Sequence, residues 1–223
     1  MGIKVDELAN RYPVLYHMAS YGSWPSIKKH GLLSTGELLA LYEIGAAQRV
    51  ELLTAQRLRC VPISHPNHGV ATIRDQKPLS AKNLARCLKG CDAPTWYSIL
   101  NDRVFFWLNR KRLLTLMSAR DYAERPHTIL QVDTARLVRD YQKRIELAHM
   151  NTGNTLPFPH PRGRSTFRKL EEYPYEKRRN LPDYSAVVEL TVLSGVPDVR
   201  EYVTRVEHAQ GVRGEYQVID RLL

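Results

Sequence analysis

The chain has 223 residues, with 33 Lys and Arg against 23 Asp and Glu, for a net charge of +10. Hydrophobic residues make up 43% and charged residues 25%, the composition of a globular protein rather than a disordered one. The longest apolar runs, such as residues 38–42 and 104–108, fall far short of the roughly 20 residues that span a bilayer.

The opening residues hold no apolar core of signal-peptide length. Asp6 stands where a myristoylation signal requires Ser or Thr. Three cysteines, Cys60, Cys87 and Cys91, are too few and odd in number for a disulfide scaffold, so a cytoplasmic protein with no membrane association is expected. One domain over residues 1–223 is the economical organisation.

The first third reads as helical. Ser23 is positioned to cap a helix with Pro25 in its first turn and Gly31 as its stop. Ser34 and Glu37 have capping-box spacing for a helix ending near Gly45. Another helix is expected from Ala46 towards Arg59. Two prolines and two histidines over 62–69 predict a loop, and Ser80 caps a short helix through Leu88.

The aromatic and β-branched run 104–107 predicts a buried strand, followed by a helix over 110–120. A strand over 127–132 leads into a helix over 134–141 capped by Asp133. Residues 144–149 read as a strand. The stretch 151–183, with five prolines and two glycines, reads as irregular, and a loop of that length is usually functional or disordered. Strands are expected over 186–192 and 215–220, with a turn or short helix starting at Pro197 and Asp198.

Charge is unevenly spread. Residues 1–75 hold 8 basic and 6 acidic side chains, residues 76–145 hold 14 and 6, and residues 146–223 hold 11 and 11. The excess of the middle third includes Arg110, Lys111 and Arg112. A second knot comprises Arg162, Arg164, Arg168 and Lys169. Such surfaces attract polyanions through counterion release; they also serve simply as solvated surface.

Glu189 lies within a β-branched strand, where a lone carboxylate needs either a partner or an open face. His17 ends the first apolar segment and reads as a packing residue or a site residue. His65 and His68 with Cys87 and Cys91 do not match the common zinc frameworks, so no metal is expected. The loop 151–167 is rich in small hydrogen-bonding groups, with Arg162, Arg164 and Phe167 able to meet phosphates or bases. Walker, Rossmann, kinase and nucleophile-elbow patterns are absent.

The run Tyr16-His17-Met18, followed by Trp24-Pro25-Ser26-Ile27-Lys28-Lys29-His30-Gly31-Leu32-Leu33, resembles the opening motif of the DarT-like ADP-ribosyltransferases. The run from Val104 to Arg110, with Leu113 and Leu114, is similar to the family's aromatic strand, and the strand holding Glu189 lies where its catalytic glutamate strand is expected. The resemblance implies an α+β fold: a split antiparallel sheet core with an N-terminal helical region.

It further implies an NAD-dependent mono-ADP-ribosyltransferase acting on a DNA or RNA base, a toxin or phage-defence effector opposed by a macrodomain-type antitoxin. Glu189 and Arg110 are then catalytic. His17, Tyr16, Ser20, Phe106 and Trp107 hold NAD, and Lys111, Arg112, Arg162, Arg164, Phe167 and Arg168 hold nucleic acid. The spacing between the Trp24 helix and the aromatic strand is longer than in compact members. The alternatives are an RNA 2′-phosphotransferase, whose arginine array the sequence fits weakly, and a non-catalytic nucleic-acid-binding module.

Overall fold

The computed structural model describes residues 2–123, 125–212 and 215–223. Its elements begin with α1 (Val5–Arg11), β1 (Val14–Ser20), α2 (Trp24–His30), β2 (Leu32–Leu33), α3 (Thr35–Leu41) and α4 (Ala46–Thr54). The hairpin β3 (Val61–His65) and β4 (Gly69–Ile73) follows, then α5 (Ala81–Cys87), α6 (Ala93–Asn101), β5 (Arg103–Trp107) and α7 (Arg110–Met117). The last part contains β6 (His127–Asp133), α8 (Thr134–Tyr141), β7 (Ile145–Ala148), the single turn α9 (Asp183–Ala186), β8 (Glu189–Leu193), β9 (Gly195–Val196), β10 (Val203–Val212) and β11 (Glu215–Arg221).

Local chemistry sets several helix starts. The side chains of Ser34, Ser80, Asp92, Asn109 and Asp133 each accept a backbone N–H of the helix they precede, satisfying one of the unpaired donors of the first turn. Ser23 precedes α2 without making such a bond. Gly31 ends that helix at φ 88°, a conformation that favours glycine.

Seven strands form one antiparallel sheet in the order β11-β10-β6-β1-β5-β8-β7. Its two parts are unequally joined. β1 runs beside β6 over seven register pairs, and β5 beside β8 over five, but β1 meets β5 only at Tyr16↔Trp107. Beyond that point the two strands part.

The main core lies on one face of the sheet. There Leu15, Phe106, Leu130, Leu190 and Val206 pack with Leu8 and Tyr12 of α1, Trp24 of α2, and Leu137 and Val138 of α8. On the other face two smaller clusters sit side by side. One joins Met18 and Ile129 to Leu113 and Met117 of α7; the other joins Ala148 to Trp96, Leu100 and Phe167. A fourth cluster ties α3 and α4 to the β3–β4 hairpin through Leu39, Tyr42, Leu52, Ile63 and Ile73.

Several sequence expectations are corrected. The first third is not wholly helical, because β1 is an inner strand of the sheet. Residues 62–69 fall in the β3–β4 hairpin rather than a loop; Pro62 is accommodated because, among the described residues, β3 pairs only with β4. The helix begun at Ala46 stops at Thr54. The expected strand over 186–192 begins at Glu189, preceded by the turn α9. The long interval before the aromatic strand is filled by α3, α4, the hairpin, α5 and α6.

Candidate active site

Where β1 and β5 part, a cavity of about 710 Å³ opens. Its walls come from the end of β1, the middle and end of α2, the β3–β4 hairpin, β5, α7 and the loop after β7. That volume lies within the usual range for small-molecule and cofactor sites, about 300–1,000 Å³.

Glu189 opens β8 and lines this cavity with only 4% of its surface exposed. Both carboxylate oxygens accept the Thr152 backbone N–H at 3.2 Å, and Oε2 also accepts the Thr152 hydroxyl at 2.7 Å. Burial pushes its pKa up to about 7, opposed by the Thr152 bonds and by the charges of Arg162 and Arg112. The carboxyl group is thus poised to change charge near neutrality.

His17 lines the same cavity. Its Nδ1 lies 2.8 Å from the carbonyl oxygen of Phe105, on the strand from which β1 has just parted. A carbonyl only accepts, so Nδ1 carries the proton and Nε2 is left as an acceptor. Burial holds the imidazole down to about 4, with Arg74 adding to the effect. At neutral pH His17 is therefore uncharged. Phe106 supports it edge-on, with ring centroids 5.7 Å apart.

Of the residues that the resemblance assigns to NAD, Ser20 and Trp107 also line the cavity, whereas Tyr16 and Phe106 do not. Tyr16 packs with Trp107, Leu116 and Tyr216 at the edge of the α7 cluster, and Phe106 is in the main core. The basic knot divides by helical position. Arg110 is exposed, with its guanidinium 4.9 Å from the centroid of the Tyr216 ring, and Lys111 lies over Tyr184. Arg112 is the one that turns to the cavity, donating from Nε to the Tyr184 carbonyl at 2.8 Å. Arg112 thus replaces Arg110 beside the carboxylate.

The second basic knot is also corrected. Arg162 is 2% exposed and donates to the Thr152 carbonyl at 2.9 Å, bracing the residue that holds Glu189. Phe167 is buried against Trp96 and Phe105, so it offers no face to a base. Arg164 and Arg168 are exposed and do not line the cavity.

Sequence reasoning placed Thr152 only within the hydrogen-bonding loop 151–167 and passed over Arg57, Arg74 and Arg103. The last three line the cavity. Arg57 is buried and donates to the carbonyls of Leu52 and Arg74 and to Asn101 Oδ1, while Arg103 pairs with Glu146. Arg74 donates to the Met18 carbonyl at 2.9 Å and lies over the Tyr122 ring. The available signal was weak: isolated arginines in a segment read as loop and short helices.

The arrangement defines an α+β protein with a large antiparallel sheet and a cavity lined by both a buried carboxyl group that titrates near neutrality and an uncharged histidine. The chain belongs to the family described as "Family of unknown function (DUF7002)", whose model matches residues 13–203. That span runs from the start of β1 to the start of β10 and includes every cavity residue named above. A search of curated proteins finds no match. No helix among the described residues is long and apolar enough to cross a membrane.

Proposed function

We infer that this protein is an NAD-consuming mono-ADP-ribosyltransferase that modifies a base in DNA or RNA. The observation carrying this reading is the convergence of Glu189 and His17 on one cavity, at the place where two half-sheets joined by a single register pair separate. A split antiparallel sheet of that kind is what the resemblance to the DarT-like enzymes implies.

The chemistry follows from the groups present. Cleaving the bond between nicotinamide and its ribose leaves the bond's electron pair on nicotinamide and positive charge on the anomeric carbon. A fixed carboxylate near that carbon lowers the barrier because it needs no reorganisation when the charge appears. Glu189 supplies it when ionised, above about pH 7. His17 offers a neutral acceptor for a ribose hydroxyl, Trp107 an apolar surface for a planar ring, and Arg112 a cation for the phosphates. A base nitrogen or oxygen then bonds to the anomeric carbon through its lone pair and releases its proton to water.

The test is incubation with labelled NAD and separate pools of single-stranded DNA, duplex DNA, RNA and protein. Label on nucleic acid, lost in Glu189→Gln, is the expected result. Label on protein alone discards the nucleic-acid acceptor, and no NAD cleavage in any pool discards the reading.

A second reading, an RNA 2′-phosphotransferase, is favoured by one observation: Arg57, Arg74, Arg103 and Arg112 share the cavity with His17. NAD-dependent loss of the 2′-phosphate from an RNA carrying one, without stable label on the RNA, would select it. A toxin or defence role with a macrodomain antitoxin remains part of the same proposal; rescue of growth by a co-expressed macrodomain hydrolase tests it.

A further inference from the structure

A second cavity, of about 330 Å³, adjoins the first and shares Ser20, Arg74, Asp75 and Tyr122 with it. The rest of its wall is Arg59, Cys60, Lys77, Asp121, Arg125 and His127. Four of these described residues are cations and two are carboxylates. Asp121 is paired with Lys77 at 2.9 Å. Asp75 accepts from the Tyr122 hydroxyl at 3.2 Å, the Cys60 thiol at 3.4 Å and the Lys77 amide at 3.2 Å. Arg59 and Arg74 make no salt bridge among the described residues.

Two neighbouring groups respond to the excess of positive charge. The Asp121 carboxyl is held below its ordinary value, first by the hydrogen bond from Lys77, with the charges of Lys77, Arg120 and Arg125 adding to it. His127 is held down by burial, reinforced by repulsion from Arg74 and Arg125. An aromatic surface lies alongside. Tyr21, next in the chain after Ser20, lines the larger cavity and is 56% exposed.

We propose that the smaller cavity is the track for the sugar-phosphate backbone of a single nucleic-acid strand, with Arg59, Arg74 and Arg125 meeting its phosphates and Tyr21 stacking on a base directed into the larger cavity. A single strand is required because Glu189 is buried in the cavity wall, and a base inside a duplex cannot reach such a group without leaving the stack. A cationic track with an aromatic platform is the general solution for holding a strand without reading its sequence. The proposal rests on the nucleic-acid half of the function inferred above.

The experiment is fluorescence anisotropy, without NAD, using a labelled single-stranded DNA of roughly 12 nucleotides and the matching RNA. Binding in either arm supports the track, and the tighter arm identifies the sugar. Arg59→Glu/Arg125→Glu should weaken binding about tenfold or more and flatten the log–log salt slope by about 1.4, from two lost phosphate contacts. Arg139→Glu/Lys143→Glu, a reversal of two exposed cations outside both cavities, controls for net charge. Equal loss in the two double variants, or no binding by the wild-type protein, overturns the proposal.

Cys60 provides a second readout in the unmodified chain, since it is exposed in the track while Cys87 is buried. A saturating strand should slow alkylation of Cys60 but not of Cys91; unchanged Cys60 labelling counts against the track. NAD cleavage measured separately distinguishes the two claims. Cleavage without strand binding discards the track alone, whereas binding at the track without cleavage discards the chemistry alone.

Discussion

Thr152 meets Glu189 with both a backbone N–H and a hydroxyl, and Arg162 in turn holds the Thr152 carbonyl. This chain of contacts keeps a carboxylate in a fixed place at the cost of burying it. Between the ordinary value of 4.5 and about 7, the folded protein retains a proton on Glu189 that the unfolded chain has lost. Stability therefore falls as pH rises through that window, by up to about 3 kcal/mol from this group. Glu189→Gln should melt like wild type at pH 5 and several degrees higher at pH 8, while NAD cleavage falls about a hundredfold or more. Thermal melts at the two pH values and a turnover assay check both halves. Thr152→Val removes the hydroxyl bond that favours the ionised form, so the acid limb of the pH–rate profile should move to higher pH. The two arginines of α7 separate cleanly. Arg112→Ala should lower turnover about tenfold or more, because it removes a cation that favours the ionised carboxylate, whereas Arg110→Ala should leave turnover near wild type.

At the scale of elements, the site exists because β1 and β5 stop pairing after one residue. The imidazole of His17 then takes up the Phe105 carbonyl that a continuing ladder would have satisfied. α2 must return close to the sheet to form the cavity wall, and Gly31 allows it. A Cβ there would stand 2.4 Å from the Pro197 Cα, at a φ that other residues rarely adopt. Gly31→Ala should cost about 3 kcal/mol or more, measured by urea unfolding, because backbone strain and a backbone clash act together.

For the whole molecule, a net charge of +10 becomes useful only where the fold concentrates it. The cations at the two cavities come from the segments after α4 and after the hairpin, from β5 and α7, and from the segment before β6, and those with the clearest access are not the ones grouped in the sequence. Three phosphate contacts on the track give a log–log salt slope near −2. Strand affinity should then fall about twentyfold between 50 and 200 mM salt. Anisotropy titrations at four salt concentrations check this, and a flat response would remove the electrostatic basis of binding.

The sequence by itself determined the features governed by near neighbours. Asp133 before an amphipathic run, Ser34 and Ser80 before their helices, and the dense apolar run at 104–107 all carry their structure locally. Glu189 in a β-branched stretch stood out for the same reason. Tertiary structure decided what depends on distant partners. β10 reads as polar through Arg205, Glu207, His208 and Gln210, yet it is the longest strand because β6 and β11 pair with it on both sides, while Arg205, Arg221 and the Tyr216 hydroxyl meet its buried Glu207. Arg162 and Phe167 looked like a nucleic-acid surface and became internal braces, and one turn of α7 chose Arg112 over Arg110. Whether a charge or an aromatic ring is buried is fixed by whatever packs across from it, and those partners lie elsewhere in the chain.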